Sequence, residues 1–364
     1  MDSLFTEEQP VAELGKAVLY DAAMRPNGLT VYLPHVDSVH FPAEETPVGN
    51  IAQLAAIDRF GVHSLIDCPD DADIVLFTEF HLMRDWRAQD IRYHPVRRRF
   101  PEKSYGYDER PLPWPALPGL FVSERSDSII PSFQVPWSYT RLGEVARQLM
   151  SAPRVEPDLL FSFVASPGPP VRDTLFTLDH PRGLVERVQD FVSFNGSSHD
   201  FVGRRAHFIE IVRRSKFVLC PRGMATSSFR LYEAIAAGRV PVVLSDRWVQ
   251  PVGPDWPSFS VRWPERLASQ LPAYLESIED RYESMATAAS AVFDRWFRPD
   301  VAFHRMVETL RPLVDDGVAE RFPYNGVRTR YAQRALEMLR QRLLPGPLRY
   351  AGTLAPDKVA PTFS

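Results

Sequence analysis

The sequence predicts an α/β protein built from two Rossmann-like domains facing a cleft. Three observations predict it. Short continuous apolar runs recur at 73–78 (DIVLFT), 159–165 (LLFSFVA), 216–220 (KFVLC) and 240–244 (VPVVL), as expected of strands buried on both faces. Segments of helical spacing alternate with them, which implies parallel sheets with right-handed crossovers. The chain has 364 residues, more than one ordinary core accommodates, and the strand–helix series restarts near residue 155. The expected layout is one Rossmann-like domain over 1–155, a second over 156–300, and C-terminal helices and tail over 301–364 that cross back to the first domain.

In chain order, 29–33 (LTVYL) is a short β-rich run closed by Pro34. Residues 50–59 have helical spacing. The 73–78 strand follows, then a basic stretch with Arg84, Arg87, Arg92 and Arg97 to Arg99. Residues 120–123 give a further strand, and 141–150 a helix leading to a linker at 151–157. The second series opens with the 159–165 strand, a Ser-Pro-Gly-Pro-Pro turn and a helix beginning near Val171. A helix over 202–214, a strand stopped by Pro221 and a helix over 227–237 come next, with Gly238 placed to close the last. Residues 240–244 and 259–261 are the remaining strands. Helices are expected over 264–278, 281–297, 300–314 and 328–344, and a loose tail after Pro345. The 34 prolines cluster in 95–118, 131–136 and 251–264, which read as long ordered loops. No internal repeat and no low-complexity segment interrupts this order.

The composition, 45% apolar and 24% charged, is that of a folded protein. A net charge of −4 argues against a general nucleic-acid binder. Cys68 and Cys220 each sit beside an apolar run and read as two buried free thiols, and the lack of a CxxC excludes a zinc ribbon. The opening MDSLFTEEQP carries no basic-then-apolar leader, and no run of about 18 apolar residues occurs. Cytoplasm is therefore the expected compartment, with peripheral membrane association left open. Asn195-Gly196-Ser197 matches a glycosylation sequon and reads as a turn.

The segment 215–248 carries the chemistry. A strand runs into Pro221-Arg222-Gly223, then a loop of small and hydroxyl residues, then a helix starting near Ser227 or Ser228. Free N–H groups and the dipole at such a helix start attract anions. Thr226, Ser227 and Ser228 add hydroxyl donors, and the guanidiniums of Arg222 and Arg230 match phosphate oxygens bidentately. Arg230 and Glu233 share a helix face, and a carboxylate there can accept hydrogen bonds from both ribose hydroxyls. The competing reading is a plain strand–helix–strand unit with a capped helix and a surface Arg230–Glu233 pair. A phosphate loop also serves kinases and dehydrogenases, but neither GxxxxGK[ST] nor GxGxxG is present.

The pattern PRG-x4-SFR-x2-EA-x2-A-x2-VPV-x-LS-x2-W-x2-P resembles the signature of the exostosin family, glycosyltransferase family 47. Its residues here are Pro221, Arg222, Gly223, Ser228, Phe229, Arg230, Glu233, Ala234, Ala237, Val240, Pro241, Val242, Leu244, Ser245, Trp248 and Pro251. Residues 70–77 and 171–175 carry weaker similarity. The resemblance implies a GT-B fold and inverting transfer from a nucleoside-diphosphate sugar, usually UDP-linked. It implies that Arg172, Arg222 and Arg230 face the diphosphate and Glu233 the ribose, with Gly223, Ser227 and Ser228 completing the donor site. The N-terminal domain would then take the acceptor and the C-terminal domain the donor. Lacking the anchor and second catalytic domain of animal and plant members, the sequence reads as a bacterial cytoplasmic enzyme of surface-glycan synthesis. Its partners would be the nucleotide-sugar donor and a saccharide or lipid-linked acceptor. The alternatives are a fucosyltransferase-like GT-B enzyme using a GDP-sugar, and a non-catalytic member that binds glycans or assembles a synthase.

Inverting transfer needs a general base, expected from the N-terminal domain. Glu79 and His81 directly follow DIVLFT and rank first. His35 and Asp37 come next, and Glu124 is a further candidate near a strand end. Asp71-Ala72-Asp73 matches the metal-binding DxD pattern but precedes a strand, so it reads as an acidic turn. No essential metal or other cofactor is expected, because arginines and a helix start can balance leaving-group charge. Arg92, Arg97, Arg98, Arg99 and Lys103 make a basic loop that either holds an acidic acceptor or is merely solvated. Tyr105, Tyr107, Trp114 and Trp137 either stack on acceptor sugars or pack their own loop.

Overall fold

The strands of the computed structural model, which describes residues 28–34, 46–79, 91, 93–111, 115–141, 143–188 and 199–323, form two wholly parallel sheets. The first contains β1 (Thr30–Tyr32), β2 (Ser64–Leu65), β3 (Ile74–Glu79), β4 (Ser104–Asp108), β5 (Gly119–Phe121) and β6 (Gln134–Pro136), in the order β2-β1-β3-β4-β5-β6. The second contains β7 (Leu159–Ala165), β8 (Gly183–Arg187), β9 (Ser215–Pro221), β10 (Val240–Leu244) and β11 (Val261–Arg262), in the order β11-β10-β9-β7-β8. Two parallel-sheet α/β halves are what the GT-B expectation requires. Each sheet grows first to one side and then to the other, so strand order reverses between β1 and β3 and between β7 and β9. Loops leaving the carboxyl ends of strands diverge at such a point and open a crevice for ligands.

Helices cover both faces of the second sheet. Phe161, Phe163, Leu219 and Val242 pack with Leu271, Leu275 and Met285 on one side. Val164, Val218, Cys220 and Val243 pack with Phe208, Leu231, Ile235 and Phe293 on the other. Alternate residues of one strand serve opposite cores, which is why these strands read as unbroken apolar runs. Each such side chain stabilises the fold by roughly 1.5–3 kcal/mol. In the first sheet, Val31, Leu76, Tyr105, Tyr107 and Leu120 pack with Ile51 and Leu54 of helix Pro47–Ala56 and with Phe303, Met306 and Leu310 of helix Pro299–Asp315. Tyr105 donates its hydroxyl to the Leu313 carbonyl at 3.0 Å, and Arg59 N–H bonds the Asp300 carbonyl at 2.9 Å. The chain thus returns from the second sheet to cover the first.

Helix Phe229–Ala236 ends as expected. Gly238 takes φ +64°, its N–H bonds the Ile235 carbonyl at 3.0 Å, and Arg239 N–H bonds the Ala234 carbonyl at 2.9 Å, the double closure of a left-handed cap.

Several expectations need correction. The 95–118 stretch is not one loop. Pro95–Arg99 is a helical turn whose proline sits in the first turn, where no N–H is needed, and His94 Nδ1 caps Val96 N–H at 3.2 Å. Ser104–Asp108 is a fully buried central strand that its serine, glycine and aspartate had disguised. Residues 134–136 and 261–262 are strands, and Trp256–Phe259 is a helical turn, inside the other two proline clusters. The 281–297 helix resolves into Tyr282–Val292 and a π turn at Phe293–Phe297. Cys220 is buried, but Cys68 is exposed, on the turn between the short β2 and β3. Among the described residues, no helix is long and apolar enough to cross a membrane. Asn195 and the expected 328–344 helix lie outside the described residues.

Candidate functional site

The β7/β9 switch point gathers several residues singled out from sequence. β7 ends at Ala165 and leads through Ser166–Pro169 into helix Pro170–Leu175, which carries Arg172. β9 ends at Pro221 and leads through Arg222 and Gly223 to the start of helix Phe229–Ala236. Arg172 spans the gap. Its Nε donates to the Arg222 carbonyl at 3.1 Å and its Nη1 to the Ser166 carbonyl at 3.2 Å. Two glycines make room for it. A Cβ on Gly168 would lie 2.6 Å from Arg172 Cδ, and one on Gly223 would lie 3.4 Å from Arg172 Nη2. A cation is thus wedged between both switch-point loops, beside backbone that approaches closely because it carries no side chain.

Arg222 is half-buried, and its Nε donates to Glu265 Oε1 at 2.8 Å. Its guanidinium is therefore oriented by an acid from the segment after β11. Ser228 occupies the N-cap position in extended geometry, and its side chain makes no cap hydrogen bond. Ser227 is 4% exposed. The exposed side chain of this loop is Met224.

Arg230 and Glu233 are not a surface pair. They are 7% and 9% exposed. Arg230 Nη2 donates to the Val164 carbonyl at 2.7 Å, and its guanidinium lies 5.4 Å from the Phe208 ring centre and 5.7 Å from that of Phe163. Burial lowers its pKa. Burial pushes the Glu233 carboxyl up to about 7, with Arg230 opposing the rise. Two charges placed under the carboxyl end of β7 cost several kcal/mol of desolvation unless each finds partners. The capped-helix reading, with a solvated pair, does not describe this helix.

Residues 114–278 match the family model described as the Exostosin GT47 domain. The match spans β5 to β11 and includes all of the switch-point residues above. Among curated proteins, the chain is 33% identical over 119 residues to zebrafish (Danio rerio) Exostosin-1a, covering 32% of this chain and 16% of that protein. It is 36% identical over 97 residues to the Caenorhabditis elegans Exostosin-1 homolog, covering 26% of this chain and 25% of that protein. The matched part therefore spans a quarter or less of either relative. A crystal structure of a glycosyltransferase from Rickettsia africae aligns over 88% of this chain and 100% of its own, at 10% identity and a TM-score of 0.33. The exostosin match supports a glycosyltransferase.

The first half reaches this site along one seam. Thr226 Oγ1 donates to the Glu124 carbonyl at 2.9 Å, and the Tyr139 ring stacks on Phe229 at 3.7 Å between centroids. Ser126 N–H bonds the Arg247 carbonyl at 2.9 Å. Glu124 itself is fully buried, with Gln134 Nε2 donating to its Oε1 at 2.6 Å, so it braces the seam and is closed to an acceptor. Glu79 ends β3 in register with Asp108. His81, His35, Asp37, Arg84, Arg87, Arg92 and Trp114 lie outside the described residues.

The acidic turn and the basic loop partner each other. Asp73 Oδ2 accepts from Thr30 N at 2.7 Å and from Thr30 Oγ1 at 2.8 Å, tying β3 to β1. Asp70 pairs with Arg99, and Lys103 Nζ donates to the carbonyls of Asp70 and Ala72 at 3.0 and 2.8 Å. Tyr105, Tyr107 and Trp137 are buried in the first core, so they pack the fold and offer no face to a sugar.

Sequence reading missed the carboxyl edge of β4. Asp108 is 2% exposed and held by Arg110, whose Nη2 reaches Oδ2 at 2.6 Å. Glu109 is 8% exposed and accepts from Thr140 N at 2.9 Å, from Thr140 Oγ1 at 2.8 Å and from the Tyr107 hydroxyl. The signal was a D-E-R run after an aromatic pair, legible only once 104–108 is recognised as a strand.

Proposed function

We propose that the chain is an inverting glycosyltransferase of exostosin type, moving a sugar from a UDP-sugar to a saccharide or lipid-linked acceptor. The observation that carries this reading is Arg172 wedged between the two loops of the β7/β9 switch point, beside Gly223 and the start of helix Phe229–Ala236. Cations fixed at a helix start suit a diphosphate leaving group. Arg172 and Arg222 would meet the diphosphate directly. Arg230, buried behind them, would supply field from below. Glu233 would accept hydrogen bonds from the ribose, and those bonds would offset the burial that raises its pKa. Gly223, Ser227 and Ser228 would supply close backbone approach and hydroxyls. The second half would hold the donor and the first half the acceptor, with helix Pro299–Asp315 joining the C-terminal segment to the first half. Fixed cations replace a metal in this scheme. A cytoplasmic location and a role in surface-polysaccharide synthesis belong to the same proposal.

Transfer would be a single displacement. The acceptor oxygen attacks the anomeric carbon, the bond to the β-phosphate oxygen breaks, and a carboxylate of the first half takes the acceptor proton. The test is a thermal-shift and turnover screen of purified protein with UDP, GDP and CMP and their sugars. Stabilisation by UDP and release of UDP from a UDP-sugar are expected, since a ligand bound to the native state alone must stabilise it. Stabilisation by GDP alone would favour the fucosyltransferase-like reading. Stabilisation by no nucleotide would favour a non-catalytic glycan binder.

A further inference from the structure

The carboxyl edge of β4 holds a carboxylate with a lopsided set of partners. Glu109 Oε1 accepts from Thr140 N, Thr140 Oγ1 and the Tyr107 hydroxyl. Among the described residues no donor reaches Oε2. Three donors on one oxygen lock the side chain in place and leave the lone pairs of the other available. A residue that only tied β4 to segment 138–140 would do so as well with a neutral amide, without the cost of burying a charge. Its neighbour Asp108 is different, because Arg110 takes both of its oxygens, Nε reaching Oδ1 and Nη2 reaching Oδ2.

Position adds a second argument. Tyr139, adjacent to Thr140, stacks on Phe229, the residue before Arg230. Burial, and then the nearby Glu109 charge, raise the pKa of the Tyr139 phenol. Glu109 therefore stands at the strand edge of the first half, one aromatic pair away from the helix of the donor site. Glu79 ends the adjacent strand, in register with Asp108.

We propose that Glu109 is the general base that takes the acceptor proton through Oε2, a role resting on the donor-site reading above. As the acceptor oxygen bonds to the anomeric carbon, its proton passes to Oε2, and the electron pair of the breaking bond leaves with UDP. The proton then returns to solvent. A positioned base of this kind contributes about 100-fold or more to rate.

Glu109→Gln tests it, because the amide oxygen keeps all three bonds to Thr140 and Tyr107. The readouts are UDP binding by calorimetry and UDP release from UDP-glucose, UDP-N-acetylglucosamine and UDP-glucuronate, with water as acceptor. The expected result is UDP affinity within about twofold of wild type and turnover reduced about 100-fold. Glu79→Gln, made in parallel, keeps most of its turnover. Undiminished turnover in Glu109→Gln, or loss in Glu79→Gln alone, would overturn the assignment while leaving the donor site standing. Loss of UDP binding in Glu109→Gln would also overturn it, by placing the residue in donor recognition. A wild-type protein that neither binds UDP nor releases it would overturn the donor-site reading, and this proposal with it.

Discussion

Arg172 Nε donates to the main-chain carbonyl of Arg222 at 3.1 Å, across the gap between the loops that leave β7 and β9. Fifty residues separate the two in sequence. The bond forms because a parallel sheet that reverses its order places these two loops side by side at its carboxyl edge.

Arg172→Lys keeps the charge and loses the planar fork. Charge-assisted hydrogen bonds contribute about 1.5–3 kcal/mol, so UDP affinity should fall about 10- to 100-fold by calorimetry. Gly168→Ala should act on the same residue without removing it, since the new methyl meets Arg172 Cδ at 2.6 Å. A several-fold loss of affinity with little change in melting temperature is expected.

Glu233 makes stability depend on pH. Its folded pKa of about 7 lies above the value of 4.5 expected in the unfolded chain. The folded state therefore binds more protons between these values, and stability falls as pH rises through that window. The loss is on the order of 3 kcal/mol. Glu233→Gln should flatten this slope, so denaturant melts at pH 5 and pH 8 should converge in the variant. The same variant should weaken UDP binding, and a bound ribose should pull the wild-type carboxyl below 7. Because both side chains are buried, Arg230→Ala and Glu233→Ala test folding together with binding, and the isosteric change is the cleaner probe.

Two side-chain contacts of the seam between the halves can be removed singly. Tyr139→Ala removes the stack on Phe229, a pair contributing about 0.5–1.5 kcal/mol beyond its area. Thr226→Val removes the bond to the Glu124 carbonyl, about 1 kcal/mol. Each should lower the melting temperature, and each should reduce turnover more than UDP affinity, because the residues proposed to bind the donor all lie in the second half.

His304 predicts an acid limit. It stacks on Phe60 at 4.2 Å between centroids. Burial, followed by repulsion from His63, lowers its pKa to about 4 from the ordinary 6.5. Glu308 opposes the shift, and Arg305 and Arg311 add to it. A buried neutral histidine contributes stability above pH 6.5 that is lost as pH falls toward 4. Among the described residues Nδ1 of His304 has no partner, so His304→Phe removes the titration without breaking a bond seen there. The variant should unfold at lower pH than wild type in an acid titration followed by circular dichroism.

Much of the second half was legible in the sequence. Leu159–Ala165 and Val240–Leu244 are continuous apolar runs and appear with the bounds the pattern gave them. Gly183–Arg187 was not legible, because an edge strand reading GLVER is half solvated and has no such run. In the first half, Ser104–Asp108 escaped because its core positions are tyrosines and its ends are polar. The strand–loop–helix of the candidate site could be read because its pattern is local. Burial of Arg230 and Glu233 depends on Phe163, Phe208 and Val164 from other elements. The anchoring of Glu109 likewise depends on Thr140, thirty-one residues away.

Calorimetric titration of UDP into wild-type and Arg172→Ala protein tests the central claim most directly. The account predicts saturable binding by the wild type and affinity at least about tenfold weaker in the variant, with both proteins folded by circular dichroism. Equal affinity in the two proteins, or no binding of UDP by the folded wild type, would contradict it.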